Sequence, residues 1–80
     1  MYYTYIIETV SQPAHFYVGS TSDLPARMAD HNAGLSAHTA KFRPWKLKWY
    51  CAFETRAKAE EFERYLKTAS GRAFQAKRIA

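Results

Sequence analysis

Phe16-Tyr17-Val18-Gly19-Ser20-Thr21, continuing through Ser22-Asp23-Leu24-Pro25-Ala26-Arg27 to His31, is the stretch on which the reading of this chain turns. Its first residues are aromatic and β-branched, the composition of a short strand. The strand runs through Gly19 into a helix start, with Ser22 as N-cap and Pro25 tolerated in the first turn, where backbone N–H groups lack intrahelical partners. On a helix over 23–33, Leu24 and Met28 mark the buried stripe. Arg27 and His31, one turn apart, lie beside each other just off it, at the rim of the core. Gly34 ends the helix. A tyrosine, a permissive glycine, hydroxyls ahead of a helix N-terminus, an arginine and a histidine are all groups that phosphate chemistry uses.

Upstream, Tyr2 to Glu8 alternates loosely and is rich in Tyr, Ile and Thr, which predicts a strand with Tyr3, Tyr5 and Ile7 on one face and Tyr2, Thr4 and Ile6 on the other. Pro13 bars its continuation, so His15 to Ser20 returns as the second strand of a hairpin. A loop over residues 9–13 would set Tyr5 opposite Tyr17, with their hydroxyls side by side. Downstream, residues 35–44 form a polar loop carrying His38, Thr39, Lys41 and Arg43. Residues 45–53 alternate as a third strand, with Lys46 and Lys48 facing one way and Trp45, Leu47 and Trp49 the other. Thr55 caps a second helix to about Thr68, whose apolar face is Ala59, Phe62, Leu66 and Ala69. Glu63 falls at the edge of that face, whereas Glu60 and Glu61 point away. Ser70-Gly71 then breaks the chain before a short basic helix with Arg72, Lys77 and Arg78. The fold class is α/β of the α+β kind: a three-stranded antiparallel sheet flanked by helices, in the order β-β-α-β-α-α.

The 80 residues leave room for one domain over 1–80, and 48% apolar composition with 16% aromatic suffices for a small core. A single cysteine, Cys51, excludes an internal disulfide. One cysteine with three scattered histidines does not make a four-ligand structural zinc site. The N-terminus lacks the features of a signal peptide and no stretch is long enough to span a membrane, so the expectation is a cytoplasmic protein without a membrane partner. The net charge of +5 is uneven: residues 1–40 hold one base against three acids, and residues 41–80 hold eleven bases against four acids. A basic half on so small a protein points to a polyanion, engaged by phosphate neutralisation and counterion release.

Taken together these residues resemble the GIY-YIG nuclease domain over essentially the whole chain. The resemblance is greatest to its small stand-alone members, which are related to the nuclease half of the bacterial excision-repair excinuclease. Tyr3-Thr4-Tyr5 stands at the first signature triplet, keeping the tyrosine without the Gly-Ile. Tyr17-Val18-Gly19 stands at the second. Ser20-Thr21, Leu24 and Arg27 match the helix motif that follows, and His31 matches a position often held by histidine. Ala59-Glu60-Glu61-Phe62-Glu63 matches the motif that places the metal-binding glutamate. The resemblance implies a metal-dependent DNA endonuclease, suited to structured or damaged DNA, with one Mg²⁺ or Mn²⁺ held by Glu63. It further implies Tyr17 as general base toward the attacking water, Tyr5 assisting, Arg27 on the scissile phosphate and His31 in support. A lone carboxylate is enough for magnesium, which keeps most of its waters. A tyrosine near its ordinary pKa of about 10 is a poor base at neutral pH, and Arg27 with the cation nearby would favour the phenolate. The family often supplies an asparagine after the glutamate helix; only Gln75 stands in that neighbourhood.

Singly, each residue has a plainer explanation. Tyr5 and Tyr17 suit a cross-strand aromatic pair, Arg27 a surface ion pair with Asp23 or Asp30, and Glu63 a solvated helix border. The alternative function is a module of the same fold that binds nucleic acid and cleaves nothing, with Lys41, Arg43, Lys46, Lys48, Arg72, Lys77 and Arg78 as its phosphate footprint. A third reading is a small interaction protein whose basic half meets an acidic protein surface. DNA is the expected partner with RNA open, as a monomer or weak homodimer, with specificity supplied by substrate structure or by a partner protein.

Overall fold

A computed structural model describes residues 1–79, with strands β1 (Tyr2–Thr9), β2 (Phe16–Thr21) and β3 (Trp45–Phe53) and helices α1 (Leu24–Ala33), α2 (Arg56–Leu66) and α3 (Ala69–Arg78). A short 3-10 turn at Ala40–Phe42 precedes β3. The sheet is antiparallel in the order β2-β1-β3, so β1 is central and both other strands are edges. Its burial on two sides explains why Thr4, Tyr5, Ile6 and Ile7 are all buried. Tyr5 and Ile7 pack with Leu24 and Trp45 on the α1 face, flanked by Tyr3, Tyr17 and Met28. On the other face the Thr4 hydroxyl donates to the Ala59 carbonyl at 2.6 Å, fixing α2 to the central strand. Among the described residues no helix is long and apolar enough to cross a membrane.

The hairpin register differs from the expected one. Tyr5 lies opposite Gly19 and Ile7 opposite Tyr17, a slip of two residues. Because side chains alternate with period two, this slip keeps every residue on its expected face. The longer loop is closed by Thr9, whose N–H donates to the His15 carbonyl at 3.0 Å and whose hydroxyl accepts from the His15 N–H at 2.8 Å. The glycine explains the preference: a Cβ at Gly19 would lie 2.7 Å from Tyr5 Cζ. The tyrosine ring therefore occupies the space over that residue, and only glycine leaves it free.

Two further expectations yield to local chemistry. The N-cap of α1 is Asp23, not Ser22; its carboxylate accepts from the Ala26 N–H at 3.1 Å. The Thr21 hydroxyl accepts from the Asp23 N–H at 3.1 Å, which closes the turn one residue later than expected. A bulge between Ile6 and Ile7 breaks the alternation of β3: Trp49 pairs with Ile6 and Leu47 with Ile7, leaving Lys48 between them. Trp49 consequently faces α2, its ring tilted against Phe62 with centroids 6.0 Å apart, while Trp45 stays in the α1-side core.

The second helix ends at Leu66, and Thr68 caps α3 by accepting from the Gly71 N–H at 3.1 Å. Gly71 is thus not the break but a buried residue inside α3. A Cβ there would lie 2.5 Å from Leu66 Cα, so glycine sets how closely α3 folds back on α2. Ala69 is exposed rather than part of the α2 face. Gly34 does end α1, in the left-handed region at φ 80°, donating to the Asp30 and His31 carbonyls.

Candidate active site

The first two turns and more of α1 aim Arg27 and His31 at β1, where Tyr5 stands. Tyr5 Oη lies 2.9 Å from His31 Nε2, and Arg27 Nε donates to Tyr5 Oη at 3.4 Å. On the other side of the imidazole, His31 Nδ1 lies 2.7 Å from Thr39 Oγ1. The Thr39 hydroxyl donates in turn to the Ser36 carbonyl at 3.5 Å. With that proton on the Ser36 carbonyl, the rest of the series has the following direction. A threonine hydroxyl has one proton, so Thr39 accepts from Nδ1–H; Nε2 is then an acceptor, and Tyr5 donates to it while accepting from Arg27. Five groups form one directed chain, from guanidinium through phenol and imidazole to hydroxyl and backbone.

Burial keeps this chain neutral apart from its arginine. His31 and Thr39 are fully buried, and Tyr5 nearly so. Burial, and then the neighbouring Arg27 charge, hold the His31 imidazole below its usual range. For Tyr5 burial also dominates and pushes the phenol up; Arg27, which pulls it down through its hydrogen bond and its charge, does not overcome this, and Tyr17 and Glu63 add to the upward push. Arg27 is raised mainly by its bond to Tyr5. One expectation is corrected: His31 is inside the core and not at its rim. Tyr5, expected to assist in positioning or to share the base role, is held between the His31 imidazole and the Arg27 guanidinium.

Tyr17 takes no part in the directed chain. Its ring packs edge-on to His31, with centroids 5.4 Å apart, and the Lys67 ammonium lies 5.9 Å from its centroid. Tyr5 meets the same imidazole at 5.8 Å. The two tyrosines are therefore brought together through His31 and not as a directly opposed pair.

Glu63 stands on α2, on the other side of the sheet, and is linked to the Tyr17 ring on β2 through Lys67. Its Oε1 accepts from the Ser20 hydroxyl at 2.7 Å, and its Oε2 meets Lys67 Nζ at 2.8 Å. Among the described residues no three His, Cys, Asp or Glu side chains cluster closely enough to hold a metal ion between them. The donors near Glu63 are oxygens: one carboxylate and the Ser20 hydroxyl. That set suits a hard cation that retains water and completes its shell with phosphate oxygens, and does not suit zinc.

The basic residues divide. Lys46 and Lys48 both lean on Glu8, at 3.5 and 3.6 Å. Arg43 lays its guanidinium where a side chain on Gly34 would go, and Lys41 is exposed on the 3-10 turn. Arg72 stands beside Lys67 in a hollow along β2, and Lys77 and Arg78 are exposed on the last turn of α3. Gln75 donates to the Leu66 carbonyl at 2.9 Å, so it caps the end of α2.

Thr39, Ser20 and Lys67 complete the site, and the sequence did not single out any of them as partners. Thr39 is pinned there because the Trp45 indole N–H donates to its carbonyl at 2.8 Å, while Asn32 brackets the Trp45 backbone with bonds of 2.6 and 3.0 Å. The only signal for Lys67 was its position four residues after Glu63 on a helix.

The sequence profile of the GIY-YIG catalytic domain matches residues 1–78, and the chain belongs to the GIY-YIG family. It is 35% identical over 72 residues to a UPF0213 protein of Streptococcus pyogenes serotype M3, covering 89% of this chain and 76% of that one. It is 38% identical over 52 residues to the structure-specific endonuclease subunit SLX1 of Scheffersomyces stipitis, covering 58% of this chain and only 16% of that protein. No solved structure gives a significant match.

Proposed function

We propose that the chain is a divalent-metal-dependent endonuclease that hydrolyses phosphodiester bonds in DNA. The observation that supports this reading is the hydrogen-bonded Arg27–Tyr5–His31 series with Tyr17 packed on the same imidazole, and Lys67 lying over the Tyr17 ring while pairing with Glu63 from the α2 side. The Nε bond to Tyr5 leaves the terminal nitrogens of Arg27 for a phosphate, with only a long contact of 3.9 Å to Asp30 competing among the described residues. Tyr17 would accept the proton of the attacking water, and Tyr5 would hold the guanidinium and the imidazole in place rather than take a proton itself. Glu63 would hold Mg²⁺ or Mn²⁺, which when bound supplies charge stabilisation for the pentacoordinate phosphate and the leaving oxygen. The likeness to SLX1, a structure-specific endonuclease subunit, supports structured DNA as substrate and a role in DNA repair.

One observation favours a second reading, a binding module that cleaves nothing: both carboxylate oxygens of Glu63 already have partners. The two are separated by incubating branched and single-stranded oligonucleotides with magnesium, manganese or EDTA, using wild type and Tyr17→Phe. Metal-dependent cutting that falls by about a hundredfold in Tyr17→Phe, the scale of a lost general base, supports the nuclease. Salt-sensitive binding without cutting by folded wild type would establish the module instead.

A further inference from the structure

Phe16 is 55% exposed at the start of an edge strand, and it lines two adjoining hollows. One, of about 370 Å³, runs along β2 past Tyr17 to Lys67 and Arg72. The other, of about 220 Å³, has Lys48 and Ile79 on its walls. The Lys48 ammonium already lies 5.6 Å from the Phe16 centroid. Lys48 and Lys67 each have a carboxylate partner, whereas Arg72 has no ion pair among the described residues. A solitary exposed phenylalanine needs no explanation. One set between cation-lined hollows, and sharing a hollow with the candidate catalytic tyrosine, has a specific use.

We propose that Phe16 is a stacking platform for an unpaired nucleotide beside the scissile phosphate, with Arg72 and Lys67 on the adjoining phosphates. A planar aromatic face and flanking cations are what a single strand requires, since every base offers a π-face and every linkage a charge. Bases within a duplex are stacked on one another and do not present that face. The substrate is thus narrowed to nucleic acid with a free strand next to the cut: a flap, a gap or an open branch. Only the position relative to the cut rests on the nuclease reading.

The test is fluorescence anisotropy in EDTA, with a labelled oligothymidylate and a blunt duplex of equal length, on wild type, Phe16→Ala, Phe16→Leu, Phe16→Tyr and Arg72→Ala. Wild type should prefer the single strand. Loss of the ring in Phe16→Ala should weaken single-strand binding about tenfold and duplex binding less than twofold, and Phe16→Tyr should restore it. Phe16→Leu keeps the bulk without the ring face and should behave as Phe16→Ala, which separates stacking from folding. Arg72→Ala should weaken both ligands and lower the salt slope by about one. Equal affinity of wild type for both ligands, or equal loss on both in Phe16→Ala, would overturn the platform. Anisotropy reads no cleavage, so nicking in Mg²⁺ is measured on the same variants: a Phe16-dependent preference in a protein that never cuts DNA would uphold the platform and sink the nuclease. Cutting unaffected by these variants, without the preference, would do the reverse.

Discussion

On the α1 face, His31 and Thr39 are fully buried, and Tyr5 lies between an imidazole and a guanidinium in one connected series of hydrogen bonds. On the α2 face, the Glu63 side chain is 21% exposed and is held by a lysine that is 50% exposed. The first arrangement is part of the core, where each hydrogen bond lacks competition from water and each lost partner strands a buried group. The second is a solvent-screened pair between α2 and its C-cap, with one part-buried hydrogen bond to Ser20 of β2, and is worth less to stability. One half of the site is therefore built by folding, and the other is attached to a fold that does not need it. Substitutions in the first half should cost stability and function together, and those in the second should cost function alone.

The largest expected effect on stability is in His31→Ala. It leaves a cavity and strands the Tyr5 and Thr39 hydroxyls, at a cost of about 3 kcal/mol, or a melting temperature lower by about 10 °C or more. A melt within a few degrees of wild type would mean that the chain is not the structural element described. Gly19→Ala comes next. The added methyl meets Tyr5 Oη and Cζ, and moving the ring should cost about 1–3 kcal/mol and lower cleavage by displacing the hold on Arg27.

Smaller still is the pH term. Because burial and Arg27 keep His31 below its ordinary value, the unfolded chain binds that proton first as pH falls. Its contribution is fully present above about pH 6.5 and is lost as pH drops below it. Melting temperatures between pH 7.5 and 5.5 should fall more steeply for wild type than for His31→Gln, and parallel slopes would refute the buried neutral imidazole. Smallest is Lys67→Ala, which removes an exposed pair and should move stability by less than about 0.5 kcal/mol.

What the sequence revealed divides along the same line. The ends of β3 were legible to the residue and those of α1 nearly so, because strand composition, Pro25 and Gly34 are local signals, but the bulge that turns Trp49 toward α2 was not. Glu63 stands on the α2 face against Ser20, whereas the proximity of Tyr5, Arg27 and His31 was legible from the helical spacing. The hairpin register was not, because it is set by the Thr9 bonds and by the Tyr5 ring lying over Gly19, and both act across strands. The fate of Gly71 was hidden for a related reason: a glycine that admits a neighbouring helix reads, in one dimension, like a glycine that ends one. Thr39 carried no signal at all. Its importance comes from Trp45 and Asn32 drawing a polar loop under α1.

The most direct test is plasmid nicking in Mg²⁺ by wild type and Glu63→Ala, with thermal melts of the same preparations. The prediction is loss of cleavage by at least about a hundredfold, the scale expected when the ligand of a catalytic cation is removed, with a melting temperature within about 3 °C of wild type. Undiminished, metal-dependent nicking by Glu63→Ala would contradict the account.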